Sequence, residues 1–388
     1  MNKAPLYYFD HAAATPLDER VLAAMQPYFT ELFFNPSSPY APAVAVRREY
    51  EAAKDTLART IGARGSELVI TAGATESINL AFKSIGGHVV VGATEHQAVL
   101  SAAKFCKSAS YVQPDNTGLF SAELIARTIR ADTELVSIAL ANNELGTVQP
   151  LAAIAAVVER ERQRRREHSE VTPLYFHSDA SQGLGQLDVH VARLGVDMLT
   201  INAAKVYGPK QVGLLWAAPH VQLSPVIVGG GQERGVRSGT ENVAGVIGFS
   251  RAMVLASEHR HGEAKRLSTL RNTAQSMLEA ALPDIEIYGN QKKRLSSHLS
   301  LSLPGVDAER LVFKLERQGV YVATGSACAA NKGTRSHVLE AIGLNDRQIN
   351  GSLRLSFGRL TDEKAVREGI KFIIAAFKQE QDRVGKKA

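Results

Sequence analysis

Short apolar segments alternate with longer helical patterns between about residues 65 and 216. The apolar segments are rich in valine, isoleucine and leucine, as buried strands are, and they lie at 68–71, 88–93, 134–140, 174–179, 197–202 and 212–217. Because parallel strands need a crossover between them, the alternation predicts an α/β fold with a mainly parallel sheet between helices. Ligands bind such sheets at the carboxyl ends of the strands.

A different pattern follows this alternation. A long helical stretch runs over 240–282, with a possible break, and strands at 285–289, 297–304, 319–324 and 351–357 mix with helices at 307–318 and 362–379. The chain has 388 residues, which exceeds what one hydrophobic core usually organises. We therefore expect a large domain of residues 15–255 and a small α+β domain of residues 1–14 and 256–388.

Composition excludes several classes of protein. The chain carries 45% hydrophobic and 22% charged residues, two cysteines and a net charge of +6. It contains no pattern typical of a signal peptide or a membrane span, and two cysteines cannot form a disulfide scaffold. We expect a cytoplasmic protein that does not bind membranes. The basic run at 160–166 fits a solvated helix face, so no direct nucleic-acid binding is expected.

Two glycine-containing segments are candidates for binding an anion. In residues 71–77 a strand ends, Gly73 permits a turn and Thr75 begins a helix, whose free N–H groups and dipole favour negative charge. An ordinary turn with a capping threonine remains the alternative. The segment 229–242 has two arginines and ends near Thr240, where it can contact phosphate, a partner subunit or solvent alone.

Three side chains follow predicted strands. Lys205 stands between two apolar segments, where a desolvated amine can form a Schiff base, although a solvent-facing loop lysine is the alternative. Asp179 follows another strand and can pair with a protonated ring nitrogen of a cofactor or simply cap a helix. Gln182 lies three positions after it.

The two cysteines have different surroundings. Cys328 lies in a loop of small residues, ATGSACAANKG, which suits a reactive thiol, whereas Cys106 falls in a helical pattern typical of a structural thiol. Arg354 interrupts a strand pattern, and an arginine there often holds a carboxylate through two parallel hydrogen bonds.

Ordered motifs along nearly the whole chain resemble the cysteine desulfurases of the NifS-like group, in the class V aminotransferase branch of PLP fold type I. This resemblance implies a mainly parallel sheet of the seven-stranded type between helices, with a smaller α+β C-terminal domain. The matching segments are YFDHAAATP (8–16), NPSS (35–38), GATES (73–77), TEH (94–96), NNELGTVQP (142–150), HSDASQ (177–182), K-x-YGPK (205–210), GGGQERGVRSGT (229–240), GSAC (325–328) and LRLSFGR (353–359). Each motif is weak alone, and their order makes the resemblance specific.

The resemblance implies residues that bind pyridoxal 5′-phosphate (PLP). Lys205 would hold the cofactor covalently, and His96 would stack on its ring and assist proton transfer. Asp179 would pair with the ring nitrogen and Gln182 with the ring oxygen. The phosphate and its surroundings would contact the Ala74 backbone, the Thr75 hydroxyl, Asn143, Asn202 and, from the other subunit of a homodimer, Thr240.

The resemblance also implies a substrate and a reaction. L-cysteine would bind through Asn35, Asn143 and Arg354, and Cys328 would attack its sulfur, yielding L-alanine and a persulfide. A sulfur-acceptor protein would then receive the sulfur for iron–sulfur cluster assembly, tRNA thiolation or another transfer. A selenocysteine lyase, another class V PLP enzyme and a non-catalytic scaffold of the same fold remain alternatives.

The chain departs from the family pattern near the lysine. Members of the group usually have serine and histidine in an S-x-H-K pattern, where this chain has Asn202 and Ala204. Asn202 can still donate a hydrogen bond to phosphate, but Ala204 cannot, so we expect weaker cofactor retention unless another contact compensates. Tyr40 also stands near a position where the group usually has histidine.

Overall fold

The computed structural model describes residues 6–325 and 335–385. In these ranges the strands are β1 (Tyr7–Tyr8), β2 (Leu68–Thr71), β3 (His88–Gly92), β4 (Ser108–Val112), β5 (Thr133–Ser137), β6 (Tyr175–Asp179), β7 (Met198–Asn202), β8 (Gly213–Ala217), β9 (Glu286–Tyr288), β10 (His298–Ser302), β11 (Val320–Tyr321), β12 (Ala323–Thr324) and β13 (Ser352–Ser356).

The helices begin and end as follows in the same ranges. They are α1 (Glu19–Met25), α2 (Pro27–Thr30), α3 (Ala41–Thr60), α4 (Ala74–Lys83), α5 (Gln97–Ala103), α6 (Ala122–Thr128), α7 (Leu151–Glu167), α8 (Val191–Leu194), α9 (Val243–Ala281), α10 (Ala308–Glu316), α11 (His337–Ala341), α12 (Asp346–Asn350) and α13 (Glu363–Gly385). None of these helices is long and apolar enough to cross a membrane.

The large sheet confirms the predicted α/β fold. Its seven strands lie in the order β2-β8-β7-β6-β5-β3-β4, and β8 runs antiparallel to both of its neighbours while the other pairs are parallel. The strand that the sequence did not predict is β4, whose residues SASYV are mostly polar and only partly buried. An edge strand needs fewer apolar residues because one of its sides has no neighbouring strand.

The smaller sheet has two chemically different faces. Its order is β12-β13-β10-β9, with antiparallel pairing throughout. Along β10 and β13, Leu299 and Leu353 lie in a hydrophobic cluster with residues of α9, α10 and α13. The alternate positions are also buried but polar, and they include His298 and Arg354. Since Arg354 donates to the Asn143 carbonyl, this polar face is turned towards the large sheet.

The helix α9 joins the two parts of the molecule. It is continuous over 39 residues, and it begins after Thr240 because the Asn242 side chain accepts a hydrogen bond from Gly245 N at 3.0 Å. Its first part, up to Leu255, packs in the core around the large sheet, and Leu267 to Leu278 pack in the core of the small sheet. This grouping supports a domain boundary near residue 255, which stays a prediction.

The basic run in α7 is not a purely solvated face. Arg164 pairs with Glu161 and Glu170, and Arg166 pairs with Glu159, as expected for an exposed helix face. Arg165, in contrast, is buried and donates to the Thr133 and Arg130 carbonyls. These hydrogen bonds connect α7 to the start of β5, so one arginine of the basic run has a structural role.

Candidate functional site

The predicted lysine lies where two neighbouring strands end. β7 ends at Asn202, and a single 3-10 turn, Ala203–Lys205, carries the chain away from the sheet. The Asn202 Oδ1 atom accepts from Ala204 N at 3.1 Å and so caps this turn. The side-chain NH2 group of Asn202 is a hydrogen-bond donor that this contact does not use. β6 ends beside it at Asp179, so Asp179 and Lys205 share one edge of the sheet.

An arm formed by residues 10–15 covers the lysine. The Lys205 Nζ atom donates to the carbonyls of Ala12 at 2.8 Å and Ala13 at 2.6 Å. Gln182 donates to the same Ala12 carbonyl at 3.1 Å, which places Gln182 beside Lys205. Thr15 completes the contact through a hydrogen bond of its hydroxyl to the Ala204 carbonyl at 3.0 Å. Sequence reasoning missed these acceptors because backbone carbonyls leave no residue signature.

His96 lies at the start of α5, within electrostatic reach of Asp179 and Lys205. Its Nδ1 atom accepts from Ala98 N at 3.1 Å, so the ring caps the helix and keeps a fixed orientation. The pKa of His96 is lowered, chiefly because the surrounding protein reduces hydration of the charged ring; the Asp179 carboxylate opposes this shift, and Lys205 adds to it. Since Nδ1 accepts from Ala98 N, the neutral ring carries its proton on Nε2, which is a donor.

Asp179 interacts electrostatically with two buried groups whose pKa values are shifted. Its Oδ1 atom accepts from Ser181 N at 2.9 Å, so it caps the following turn, as expected for a capping aspartate. Burial lowers the pKa of His177 to about 4, and burial raises the pKa of Glu95 to about 8, with the Asp179 charge contributing. The capping contact uses one carboxylate oxygen, and the second oxygen remains a possible acceptor.

Glu95 is a site residue that sequence reasoning missed. Its side chain is 1% exposed, its Oε1 atom accepts from Ala139 N at 2.7 Å, and its Oε2 atom has no hydrogen-bond partner among the described residues. A glutamate next to a histidine in TEH carries no sequence signal of burial. The bond to Ala139 fixes the turn that presents His96.

The segment predicted to bind an anion lies at the start of α4. Gly73 precedes the helix with φ +139° and has no side chain that could cap it. The first N–H groups of the helix, including those of Ala74 and Thr75, therefore receive no hydrogen bond from the N-cap residue. Gly213 makes this turn possible, since a Cβ atom there would lie 2.7 Å from Gly73 Cα. Asn202 pairs with Gly213 across β7 and β8, which brings Asn202 next to the helix start.

Arg354 is 3% exposed on the polar face of the small sheet. It pairs with Asp10 at 2.6 Å and donates to the Asn143 carbonyl at 3.1 Å, while its Nε atom has no hydrogen-bond partner within the described ranges. Burial, and after it the Arg354 guanidinium, lower the pKa of the neighbouring His298 to about 3, so this histidine is neutral. The residue predicted to hold a carboxylate is therefore a buried guanidinium beside Asn143 that is paired with Asp10.

Lys205 and Gln182 also line a cavity of about 220 Å³ between the two cores. The other walls come from α9, from the turn after Lys205 and from the small sheet, and they include Tyr207, Leu255, His298 and Phe357. The cavity gives a small molecule room next to the lysine amine.

Two further predicted residues, Asn35 and Thr240, are exposed in the single chain. Asn35 is exposed, and its side chain accepts from Ser37 N at 2.9 Å in a local turn. Thr240 is exposed ahead of α9. The loop before Thr240 is held rather than free, because the Glu233 carboxylate accepts from Tyr50 at 2.6 Å and from Lys54 at 2.9 Å.

We call the space bounded by Lys205, Asp179, His96 and Arg354 the cleft. Cys328 lies outside the described residues, but the residues on both sides of its segment attach beside this cleft. Gly325 N donates to the Ser352 carbonyl at 3.3 Å, and Ser336 donates to Glu144 at 2.5 Å. Glu144 directly follows Asn143. The other cysteine, Cys106, is a half-buried free thiol whose pKa is raised to about 11 by burial, so it is a poor nucleophile at neutral pH.

Comparisons with known proteins agree with this arrangement. Residues 7–368 match the family described as Aminotransferase class-V. The chain is 38% identical over 370 residues to the cysteine desulfurase IscS 1 of Archaeoglobus fulgidus, covering 92% of this chain and 93% of the relative. It is 36% identical to the cysteine desulfurase IscS of Dictyoglomus turgidum, covering 92% and 91%.

Solved structures give the same result. A NifS-like protein superposes with a TM-score of 0.87 at 32% identity, covering 96% of this chain and 99% of that one. A structure described as SspA in complex with cysteine superposes with a TM-score of 0.75 at 33% identity, covering 90% and 98%. The chain has the NifS-like fold, PLP fold type I, and it belongs to the class V aminotransferase family.

Proposed function

We propose that this protein is a PLP-dependent cysteine desulfurase, which removes sulfur from L-cysteine, releases L-alanine and carries the sulfur as a persulfide on Cys328. The observation that carries the proposal is the convergence of an amine, a carboxylate and a neutral imidazole (Lys205, Asp179 and His96) at one edge of the large sheet. Desulfurase relatives that match the chain over nearly its full length support the same activity.

The residues of the cleft fit PLP. The α4 start offers backbone N–H groups without a side-chain cap, and Asn202 offers an amide, as a phosphate requires. The second carboxylate oxygen of Asp179 can accept a hydrogen bond from a protonated ring nitrogen, Gln182 can bond to the ring oxygen, and His96 can cover the ring face. When bound, PLP supplies an electron sink for charge that develops at the substrate Cα.

Lys205 and His96 divide the proton transfers between them. The Lys205 amine would hold the cofactor until L-cysteine replaces it, and it would then take the proton from the substrate Cα. Its present partners are the carbonyls of Ala12 and Ala13, which can hold the amine close to the cleft after its release. His96 is neutral because its pKa is lowered, and it carries its proton on Nε2 because Nδ1 accepts from Ala98 N, so it can donate that proton during the reaction.

Arg354 and Asn143 would position the substrate carboxylate. Arg354 is buried, and its Nε atom has no hydrogen-bond partner within the described ranges, so the guanidinium retains a donor for a carboxylate. Asn35 would join them from the surface turn. The guanidinium would favour the carboxylate end of L-cysteine.

The sulfur step belongs to Cys328. Its thiolate would attack the substrate sulfur, so that an S–S bond forms while the C–S bond breaks. The electron pair of the broken bond stays on the carbon, which takes up a proton and becomes the methyl group of L-alanine. The persulfide then passes its outer sulfur to an acceptor protein, for iron–sulfur cluster assembly, tRNA thiolation or another transfer.

A homodimer in a reducing cytoplasm completes the proposal. Thr240 would reach the cofactor phosphate of the other subunit, since it is exposed in the single chain. Large side chains exposed in the N-terminal region, Phe29 at 62% and Phe33 at 66%, are suited to a subunit contact.

The test compares the two cysteines. Purified Cys328→Ser and Cys106→Ser proteins are mixed with L-cysteine, and alanine and sulfide are measured. Cys106→Ser should retain activity, because its thiol lies after α5 and is half buried. Alanine formation by Cys328→Ser at the normal rate would disprove the assignment. Turnover of selenocysteine without turnover of cysteine would instead identify a selenocysteine lyase.

A further inference from the structure

The first helix after the Cys328 segment is attached to the turn that carries Asn143. Ser336 caps α11, and its hydroxyl donates to Glu144 Oε2 at 2.5 Å. Both side chains are buried, with Ser336 at 2% and Glu144 at 7% exposure. We call this pair the Ser336–Glu144 clasp.

The hydroxyl of Ser336 has two duties at once. Its oxygen accepts from Leu339 N at 3.1 Å, which caps the helix, and its single proton goes to Glu144. Threonine can do both, whereas alanine can do neither. The clasp is therefore specific to a hydroxyl side chain and does not follow from packing alone.

The partner turn is itself tied to the cleft. Asn142 accepts from Glu144 N at 2.9 Å, and its amide donates to the Thr94 carbonyl at 2.8 Å, two residues before His96. A second contact joins the same two regions, since His337 Nε2 lies 2.9 Å from the Glu95 carbonyl oxygen. The start of α11 is thus held on the two turns that present His96 and Asn143.

The position of the clasp along the chain gives it a consequence for Cys328. Ser336 lies eight residues after Cys328, and Gly325, held on β13, lies three residues before it. Three residues span at most about 11 Å and eight at most about 29 Å when fully extended, so Gly325 sets how far the thiol can reach and Ser336 closes the loop at its other end. Loss of the clasp frees that end and lengthens the closed loop, which spreads the thiol over more positions.

We propose that Ser336 and Glu144 are positioning residues that hold the C-terminal root of the Cys328 segment at the cleft, and that the sulfur step depends on this hold. Only the kinetic part of this proposal, the dependence of the sulfur step, rests on the proposed function. The hold itself is a property of the structure and is measured without turnover.

Trypsin tests the hold directly, because the bond after Arg335 adjoins the clasp. Cleavage there requires the start of α11 to open, so its rate follows the open population. At pH 8 the Glu144 carboxyl is mostly charged, since burial raises its pKa to about 7. In the holoenzyme at that pH, Ser336→Ala and Glu144→Ala should each accelerate cleavage at Arg335 by about tenfold to a hundredfold, which corresponds to losing one buried hydrogen bond to a charged group. The double variant should be no faster than the faster single variant.

Two controls separate the clasp from a general loss of structure. Ser336→Thr should cleave like the wild type. Ser121→Ala removes a similar cap at α6, where the serine also donates to a neighbouring glutamate, but the contact is exposed. It should leave cleavage at Arg335 unchanged.

Kinetics test the second half of the proposal. Ser336→Ala should lower kcat for alanine formation about tenfold or more, with KM for L-cysteine and the visible absorbance of the bound cofactor unchanged. Wild-type cleavage of Ser336→Ala at Arg335 would overturn the hold. Faster cleavage with wild-type kcat would overturn the dependence of the sulfur step. Failure of the proposed function is a separate result, since it appears as normal alanine formation by Cys328→Ser.

Discussion

Replacing Glu95 with glutamine should stabilise the protein increasingly as the pH rises. Burial raises the pKa of Glu95 to about 8 from the ordinary value of 4.5. In the unfolded chain the carboxyl ionises above pH 4.5, whereas in the folded protein it stays protonated up to about pH 8. Between these values the unfolded state gains stability relative to the folded state, so the free energy of unfolding of the wild type falls as pH rises.

The magnitude follows from the shift. One pKa unit corresponds to about 1.4 kcal/mol, so the difference of 3.5 units amounts to roughly 5 kcal/mol above pH 8. Glutamine does not titrate and keeps an acceptor for Ala139 N. The buried NH2 group of the glutamine lowers the free energy of unfolding by an amount that does not depend on pH. The test is therefore how the stability difference between variant and wild type changes with pH. The stability of Glu95→Gln relative to the wild type should rise by about 1.4 kcal/mol per pH unit between about pH 5.5 and 7.

Urea unfolding of the holoenzyme, followed by circular dichroism at several pH values, measures this slope. Asp179, His96 and His337 also face this region and are present in both proteins, so the difference in stability between variant and wild type is the useful quantity. Glu340→Gln, at an exposed position of α11, is the matched control and should show no slope. A constant difference between Glu95→Gln and wild type across this range would refute the assignment of a protonated buried carboxyl.

Other substitutions probe the cofactor site, the substrate site and the packing. Ala204→His should restore a phosphate donor and slow cofactor loss during dialysis by about tenfold; equal loss from both proteins would contradict this. Arg354→Lys keeps the charge but not the two-bond geometry, so KM for L-cysteine should rise about tenfold in steady-state assays, and an unchanged KM would exclude this contact. Gly358→Ala would drive a Cβ atom into the His11 ring and should lower stability by about 1–3 kcal/mol in thermal unfolding, while an unshifted transition would disprove the overlap.

Much of the fold could be predicted because the buried strands have an apolar signature. The six predicted strands of the large sheet all exist, and Lys205 and Asp179 lie at strand ends as expected. The edge strand β4 escaped because an exposed edge tolerates polar residues. The N-terminal end of α4 was also predicted, since a glycine before a helix is a local signal.

What sequence reasoning could not supply depends on contacts between distant parts of the chain. The pairing of Arg354 with Asp10 joins positions 344 residues apart, and the carbonyls that hold Lys205 belong to alanines. Glu95 is buried only because strands and turns from several regions surround it. Burial and backbone contacts of this kind have no periodicity or composition that would mark them.

The arm over Lys205 has a consequence for how the enzyme is made. β1 pairs with β11, and Ala12 N donates to Ser356 Oγ at 2.9 Å, so residues made before the large sheet take their partners from residues made after it. The large sheet needs no strand beyond β8 and can form earlier in translation. A nascent chain would therefore present Lys205 without its cover until the C-terminal region has emerged, which leaves an interval during synthesis in which the cofactor can enter.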